Sequence, residues 1–163
     1  MPETGVVIRP ATAADRAGIL ALAPRLAEGV APWRNQAEAR EAGRRWLEGS
    51  LDNAAEGVGM VFVATDTAPQ TAGNVLGVLS VNPTRHFTGE HDGYIGELVV
   101  AEHAARRGIG RALLDAAETW ARDYGLAHLT LHTGAYNTNA RAFYAAIGFA
   151  EEEVRLTRPI HPT

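Results

Sequence analysis

The sequence predicts a mixed α/β fold, one central sheet with helices packed against it. Three observations carry this. Apolar, β-branched runs of strand length follow one another at Met60–Thr65, Val75–Val81 and Tyr94–Val100. Leu113, Ala117, Trp120 and Tyr124 then recur at helical spacing. A further strand, Leu129-Thr130-Leu131-His132, follows that helix, so the helix is a crossover between two strands of one sheet.

The remaining elements follow in chain order. Val6-Val7-Ile8-Arg9 is a short strand. Thr12-Ala13-Ala14-Asp15 has the form of a capping box with Asp in place of Glu. Ile19, Leu20, Ala23 and Leu26 continue at helical spacing, and Pro24 ends or kinks that helix. Gly29 to Asn35, with Pro32 and Trp33, is a loop. Gln36 to Leu51 is a second helix with Trp46 and Leu47 as apolar anchors and Gly43 as a weak point. A turn over Asp66–Asn74 makes the next two strands a hairpin, and Pro83–Gly93 is a polar loop. After a turn over Ala101–Arg107, Gly108-Ile109-Gly110 opens a helix that ends at Tyr124, with Gly125 in the C′ position. Asn137 or Asn139 caps a last helix with Ala140, Phe143, Tyr144 and Ile147 on its stripe and Gly148 behind it. Glu153–Arg158 reads as a final strand, closed by Pro159 and Pro162.

At 163 residues the chain suits a single domain, 1–163. Hydrophobic content of 46% excludes overall disorder. The absence of cysteine removes disulfides, thiolate zinc sites and a cysteine nucleophile together. No apolar run approaches the ~20 residues of a membrane span. Met1-Pro2-Glu3-Thr4 carries no basic, apolar leader pattern, so the expected compartment is the cytoplasm. A net charge of -4 argues against nucleic acid as a partner. All 15 cationic side chains are Arg, which rules out self-acylation on lysine and favours forked contacts to phosphate oxygens.

Arg106-Arg107-Gly108-Ile109-Gly110-Arg111 lies between a strand and a helix. Glycines there admit close backbone approach, and the first N–H groups of the helix point outward at an anion. The turn is either a phosphate cradle or a tight turn with solvated arginines. A Walker loop needs a Lys that the chain lacks, and a dinucleotide fingerprint needs a third glycine where Leu113 stands. His86, Glu90, His91 and Asp92 crowd one loop without metal-ligand spacing, so no metal is expected.

With these residues in view, the chain resembles the Gcn5-related N-acetyltransferase (GNAT) superfamily, most strongly over Glu97–Phe149. The family's pyrophosphate signature is Gln/Arg-x-x-Gly-x-Gly/Ala. Gly108 and Gly110 match it, and Ala105 departs from it at the first position. A second signature is present in order: Asn137-Thr138-Asn139-Ala140, then Phe143-Tyr144, then Gly148-Phe149. The resemblance implies a mostly antiparallel sheet of seven elements flanked by about four helices, and acetyl-CoA as co-substrate. It implies that the Tyr94 and Leu129 strands splay apart, so that pantetheine bonds to the backbone of Leu98, Val99 and Val100. It implies that Arg106, Arg107, Gly108, Ile109, Gly110 and Arg111 receive the pyrophosphate. Asn137 would contact the pantetheine arm, and Tyr144 would protonate the departing thiolate.

The implied reaction moves an acetyl group directly to a primary amine and needs a base for the amine's proton. Glu97 is the first candidate, since burial in an apolar strand strengthens a carboxylate as a base. His132 on the neighbouring strand competes, although a core histidine is the plainer reading of it. Val100 N–H is the candidate oxyanion donor by resemblance. Tyr94 also faces the site, and the Trp33 and His86–Asp92 loops would form the acceptor pocket. The acceptor is a small-molecule or peptide amine. The rival reading is a non-catalytic acyl-CoA-binding or sensor domain. With one strand after Phe149 where the family often has two, a homodimer is expected to complete the sheet edge.

Overall fold

The computed structural model describes residues 5–160. The readings made at Met1–Thr4 and Pro162 lie outside these residues. Five strands form one sheet: β1 (Val6–Pro10), β2 (Met60–Asp66), β3 (Val75–Arg85), β4 (His91–Val100) and β5 (Leu129–Leu131). They lie side by side in chain order. The first four pair antiparallel, and β5 joins β4 in parallel. Among the described residues the four α-helices are α1 (Arg16–Leu20), α2 (Gln36–Ala55), α3 (Ile109–Asp123) and α4 (Thr138–Ala146). The predicted mixed, mostly antiparallel sheet is therefore present, with α3 as the crossover into β5.

Alternation along β3 sorts the two faces. A Cβ on Gly77 would meet Ile109 and Leu113, so that face carries α3. Ile109, Leu113, Ala117, Trp120 and Ala121 of α3 are buried there. The other face carries Ser80, and α2 packs against it through Leu47 and Ser50. Leu47 and Leu113 are both fully enclosed, and each such side chain contributes roughly 1.5–3 kcal/mol.

Several readings need correction. The buried positions of α2 fall at 43, 47 and 50, so Trp46 lies off the stripe and is 56% exposed. Gly43 is a packing position, where a Cβ would press on Ala23 O and Leu26 at 3.0–3.1 Å. Tyr124 caps α3 with its ring over Trp120 and is itself exposed. Pro24 does break the first helix, which continues as a 3-10 turn over Ala23–Ala27.

The Pro83–Gly93 loop is mostly ladder, since Pro83 pairs with Gly93, Thr84 with Asp92 and Arg85 with His91. His86 N–H bonds to Glu90 O, so by alternation Pro83 occupies a non-hydrogen-bonded pair where no N–H is needed. The sheet has five strands among the described residues, not seven. Glu153–Arg158 forms no strand; that stretch is irregular and exposed, and no described strand pairs with it.

Candidate active site

The glycine turn opens α3 as expected. Gly108 is its N-cap with φ +72°, and Arg106 is a non-glycine residue with φ +63°. Asn side chains cap α2 and α4: Asn35 accepts from Ala37 and Glu38 N–H, and Asn137 accepts from Ala140 N–H. No side chain caps α3. Ala112 N–H is the first to bond back, to Gly108 O, so the N–H groups of Ile109, Gly110 and Arg111 have no intrahelical partner. Arg106 and Arg111 are exposed around this end, and Arg107 is half-buried. Gly110 packs edge-on to α4, with a Cβ there 3.3 Å from the Phe143 ring.

β4 and β5 part beyond Ile95. β4 and β5 pair only at Gly93–Leu129, Tyr94–Thr130 and Ile95–Leu131, while β4 continues to Val100. Ala101 N–H donates to Leu76 O at 2.8 Å. Hydrogen-bonded pairs alternate along an antiparallel ladder, so Val99 directs its N–H and C=O at β3. Leu98 and Val100 direct theirs at the opposite edge, which β5 has left. Of the three residues expected to meet pantetheine, these two present the backbone groups.

A β-bulge lies beside this edge. Leu79 pairs with Leu98 but Val81 with Ile95, so Ser80 alone opposes Gly96 and Glu97. Glu97 is 5% exposed. Its carboxylate Oε2 accepts from Ser50 Oγ at 2.9 Å and from Ser80 Oγ, and its N–H donates to Ser80 Oγ at 3.1 Å. Tyr94 stands on the same face. Burial, and secondarily the charge of Glu97, pushes its hydroxyl up, and its oxygen lies 3.2 Å from His132 Nδ1. His132 is not a core residue: its side chain is 77% exposed, with Glu153 4.0 Å from Nε2.

Tyr144 sits between the rings of Phe143 and Phe149, with centroids 5.3 and 5.5 Å away. Burial pushes its hydroxyl up to about 12, so it holds its proton. Asn137 also ties two loops together. Its Nδ2 donates to Glu28 O at 3.3 Å, and a Cβ on Gly29 would strike its Cα and Cβ. A Cβ on Gly134 would likewise strike Gly29 O, so the loop before α2 rests directly on the loop before α4. Trp33 and Tyr136, both about half exposed, meet edge to face across that seam at 5.7 Å. Residue spacing did not single out Ser50, Ser80 or the Gly29–Gly134 contact. The one visible signal was Ser80, a lone hydroxyl in the apolar Val75–Val81 run.

The sequence profile of the acetyltransferase (GNAT) family matches residues 25–149. A Bacillus subtilis protein, uncharacterized N-acetyltransferase YhdJ, is 36% identical over 73 residues. That alignment spans 44% of this chain and about half, 51%, of YhdJ. A second B. subtilis protein, uncharacterized N-acetyltransferase YhfO, is 29% identical over 89% of this chain and 90% of its own length. Aminoglycoside N(6')-acetyltransferase type 1 of Stenotrophomonas maltophilia is 29% identical over 72% of this chain and 78% of its own. In fold, the GCN5-related N-acetyltransferase of Ralstonia eutropha superposes with a TM-score of 0.71 at 22% identity, over 96% of this chain and 99% of that one.

Proposed function

We propose that this chain, which belongs to the acetyltransferase (GNAT) family, carries acetyl from acetyl-CoA directly to the primary amine of a small molecule. The family membership makes it an acetyl-CoA-dependent N-acetyltransferase. The observation that carries the finer reading is the freed edge of β4 at Leu98 and Val100, running toward an α3 N-terminus that no side chain caps. A pantetheine arm is a linear run of amides that such an edge can bind, and a diphosphate suits a bare helix N-terminus. In this reading Arg106, Arg107, Arg111 and the N–H groups of Gly108 to Arg111 hold the pyrophosphate. Asn137 seats α4 and lies against the arm.

The chemistry then balances with residues in place. Glu97 takes a proton from the acceptor ammonium, directly or through a water. The freed lone pair forms the C–N bond at the acetyl carbon. The Val100 N–H, aimed away from β3, supports the oxygen that gains charge. The C–S bond breaks, and the thiolate leaves toward the Tyr144 hydroxyl. The acceptor amine approaches on the Tyr94 and His132 side, beneath the Trp33–Tyr136 seam. A cationic amine fits there, since an acid lies inside and aromatic faces lie at the rim. The similarity to an aminoglycoside-modifying enzyme supports a small-molecule acceptor. The short β5 leaves an open sheet edge, and a homodimer is part of the proposal, tested by sedimentation.

The test is a panel of aminoglycosides, polyamines, amino acids, peptides and xenobiotic amines with acetyl-CoA, followed by Glu97→Gln on the best acceptor. Glu97→Gln is expected to lower the rate by about 10²-fold, most at low pH where the amine is protonated, and to leave coenzyme A affinity intact. An unchanged pH–rate profile would move the base to His132 or to solvent.

A further inference from the structure

Glu97 has two oxygens and only one of them is occupied. Ser50 Oγ, from α2, and Ser80 Oγ, from β3, both converge on Oε2. Ser80 accepts the Glu97 N–H on its own oxygen, which directs its single proton to the carboxylate. No described residue donates to Oε1. The buried, unpartnered side-chain polar atoms among the described residues are Arg25 Nη1 and Trp120 Nε1, so Oε1 lies where water reaches it although Glu97 is 5% exposed. Gly96, exposed in the same bulge, opens the surface beside it.

We infer that Ser50 and Ser80 are positioning residues that clamp one oxygen of Glu97, so that the other alone faces the acceptor as the proton-taking atom. The inference rests on the reading of Glu97 as the base. A carboxylate free to rotate would offer either oxygen and hydrate both. Two hydroxyl donors on one oxygen fix its plane and leave the other oxygen pointing away from them. The clamp also joins the base to α2, whose preceding loop carries Trp33 at the acceptor rim.

Few other charges can account for such an effect. On its own strand the ionisable residues are Tyr94, then Asp92 on the same face, paired with His128 at 3.0 Å, and the exposed His91; on the β5 side lie His132 and Glu153. α2 presents Leu47 and Ser50, and β3 presents Val78 and Ser80, none of them ionic. The Ala23–Ala27 turn, which packs on β4, carries Arg25, whose Nε pairs with Glu28 at 3.2 Å while its Nη1 is buried without a hydrogen-bond partner among the described residues.

The test is Ser50→Ala, which removes a hydroxyl bonded to the carboxylate, alongside Ser80→Ala and Ser50→Thr. Each Ala variant is expected to lower kcat about 10-fold, with acetyl-CoA affinity near parental. Ser50→Thr restores the hydroxyl and most of the parental kcat. A second readout needs no acceptor. In carboxyl-labelled protein, the ¹³C carboxyl resonance of Glu97, assigned by its loss in Glu97→Gln, is expected to lie at a different shift in Ser50→Ala than in the parent at the same pH, and to return in Ser50→Thr. A folded Ser50→Ala whose kcat and Glu97 resonance both match the parent overturns the clamp. If Glu97→Gln leaves catalysis unchanged, the base assignment fails separately, and the labelled-carboxylate resonance still decides whether the serines hold it.

Discussion

Replacing Tyr144 with Phe removes one oxygen and keeps the ring between Phe143 and Phe149. No described residue hydrogen-bonds that oxygen, so its loss breaks no internal bond. Folding stability is expected to stay within about 0.5 kcal/mol of the parent, because no donor or acceptor is orphaned. Acetyl-CoA affinity is expected to hold as well, since the backbone contacts assigned to the cofactor lie on β4 and α3. The rate is where the change falls. Burial holds the hydroxyl at about 12, so it is protonated at every working pH. A thiol titrates near ~8.5, which leaves complete proton transfer to the free thiolate uphill by roughly 3.5 units. In the proposed mechanism the hydroxyl would therefore act mainly by hydrogen-bonding the sulfur as the C–S bond breaks. That places the loss at about 10²-fold in kcat, the low end for general acid catalysis. The assay is steady-state turnover with thiol detection, paired with single-turnover acyl transfer to establish that chemistry limits the rate, thermal melts and acetyl-CoA titration. Undiminished kcat in a folded variant, with chemistry limiting, would make Tyr144 a packing residue and refute the reasoning.

Two further expectations test other parts of the molecule. Gly110→Glu places a negative charge at the α3 N-terminus, and coenzyme A should bind on the order of 10-fold or more weakly in calorimetry. Gly110→Ala is the control: its Cβ meets the tip of the Phe143 ring at 3.3 Å, so a small ring shift should preserve most of the affinity. Asp15 is held at about 2, first by the Arg9 guanidinium at 2.7 and 2.8 Å and then by the Thr12 N–H and hydroxyl. A carboxyl depressed in the fold stabilises it above the unfolded value of ~3.9, and that stability drains as pH falls toward 2. Asp15→Asn should cost about 1–2 kcal/mol in urea unfolding at pH 7, reduced from the full shift because Arg9 is partly exposed, and the gap should close near pH 2.

The β-strand runs and the α3 crossover were legible because their apolar spacing is the same physics that buries them. The glycine turn was legible because glycine readily takes the left-handed conformation that Gly108 adopts at φ +72°. Tyr144 and Asn137 came from the order of two signatures. Spacing alone placed Tyr144 on an apolar stripe, and the rings around it bear out that much. What stayed hidden depends on partners. Glu153–Arg158 has strand-like alternation, but alternation makes no strand without a neighbour to bond. Pro83 looked like a loop residue because a single strand does not reveal which of its positions need an N–H.

The bulge is the deepest such case. Counted by simple alternation from Tyr94, Glu97 belongs on the α3 face with Ile95, among Ile109 and Leu113, where an acid would have no donor. The extra residue opposite Ser80 turns Glu97 onto the α2 face and returns Leu98 to register with Leu79. One inserted position thus does two things at once. It brings the carboxylate to Ser50 and Ser80, and it resets which β4 backbone groups face β3. Leu98 and Val100 are thereby turned toward the edge that β5 leaves open, with the proposed base beside them.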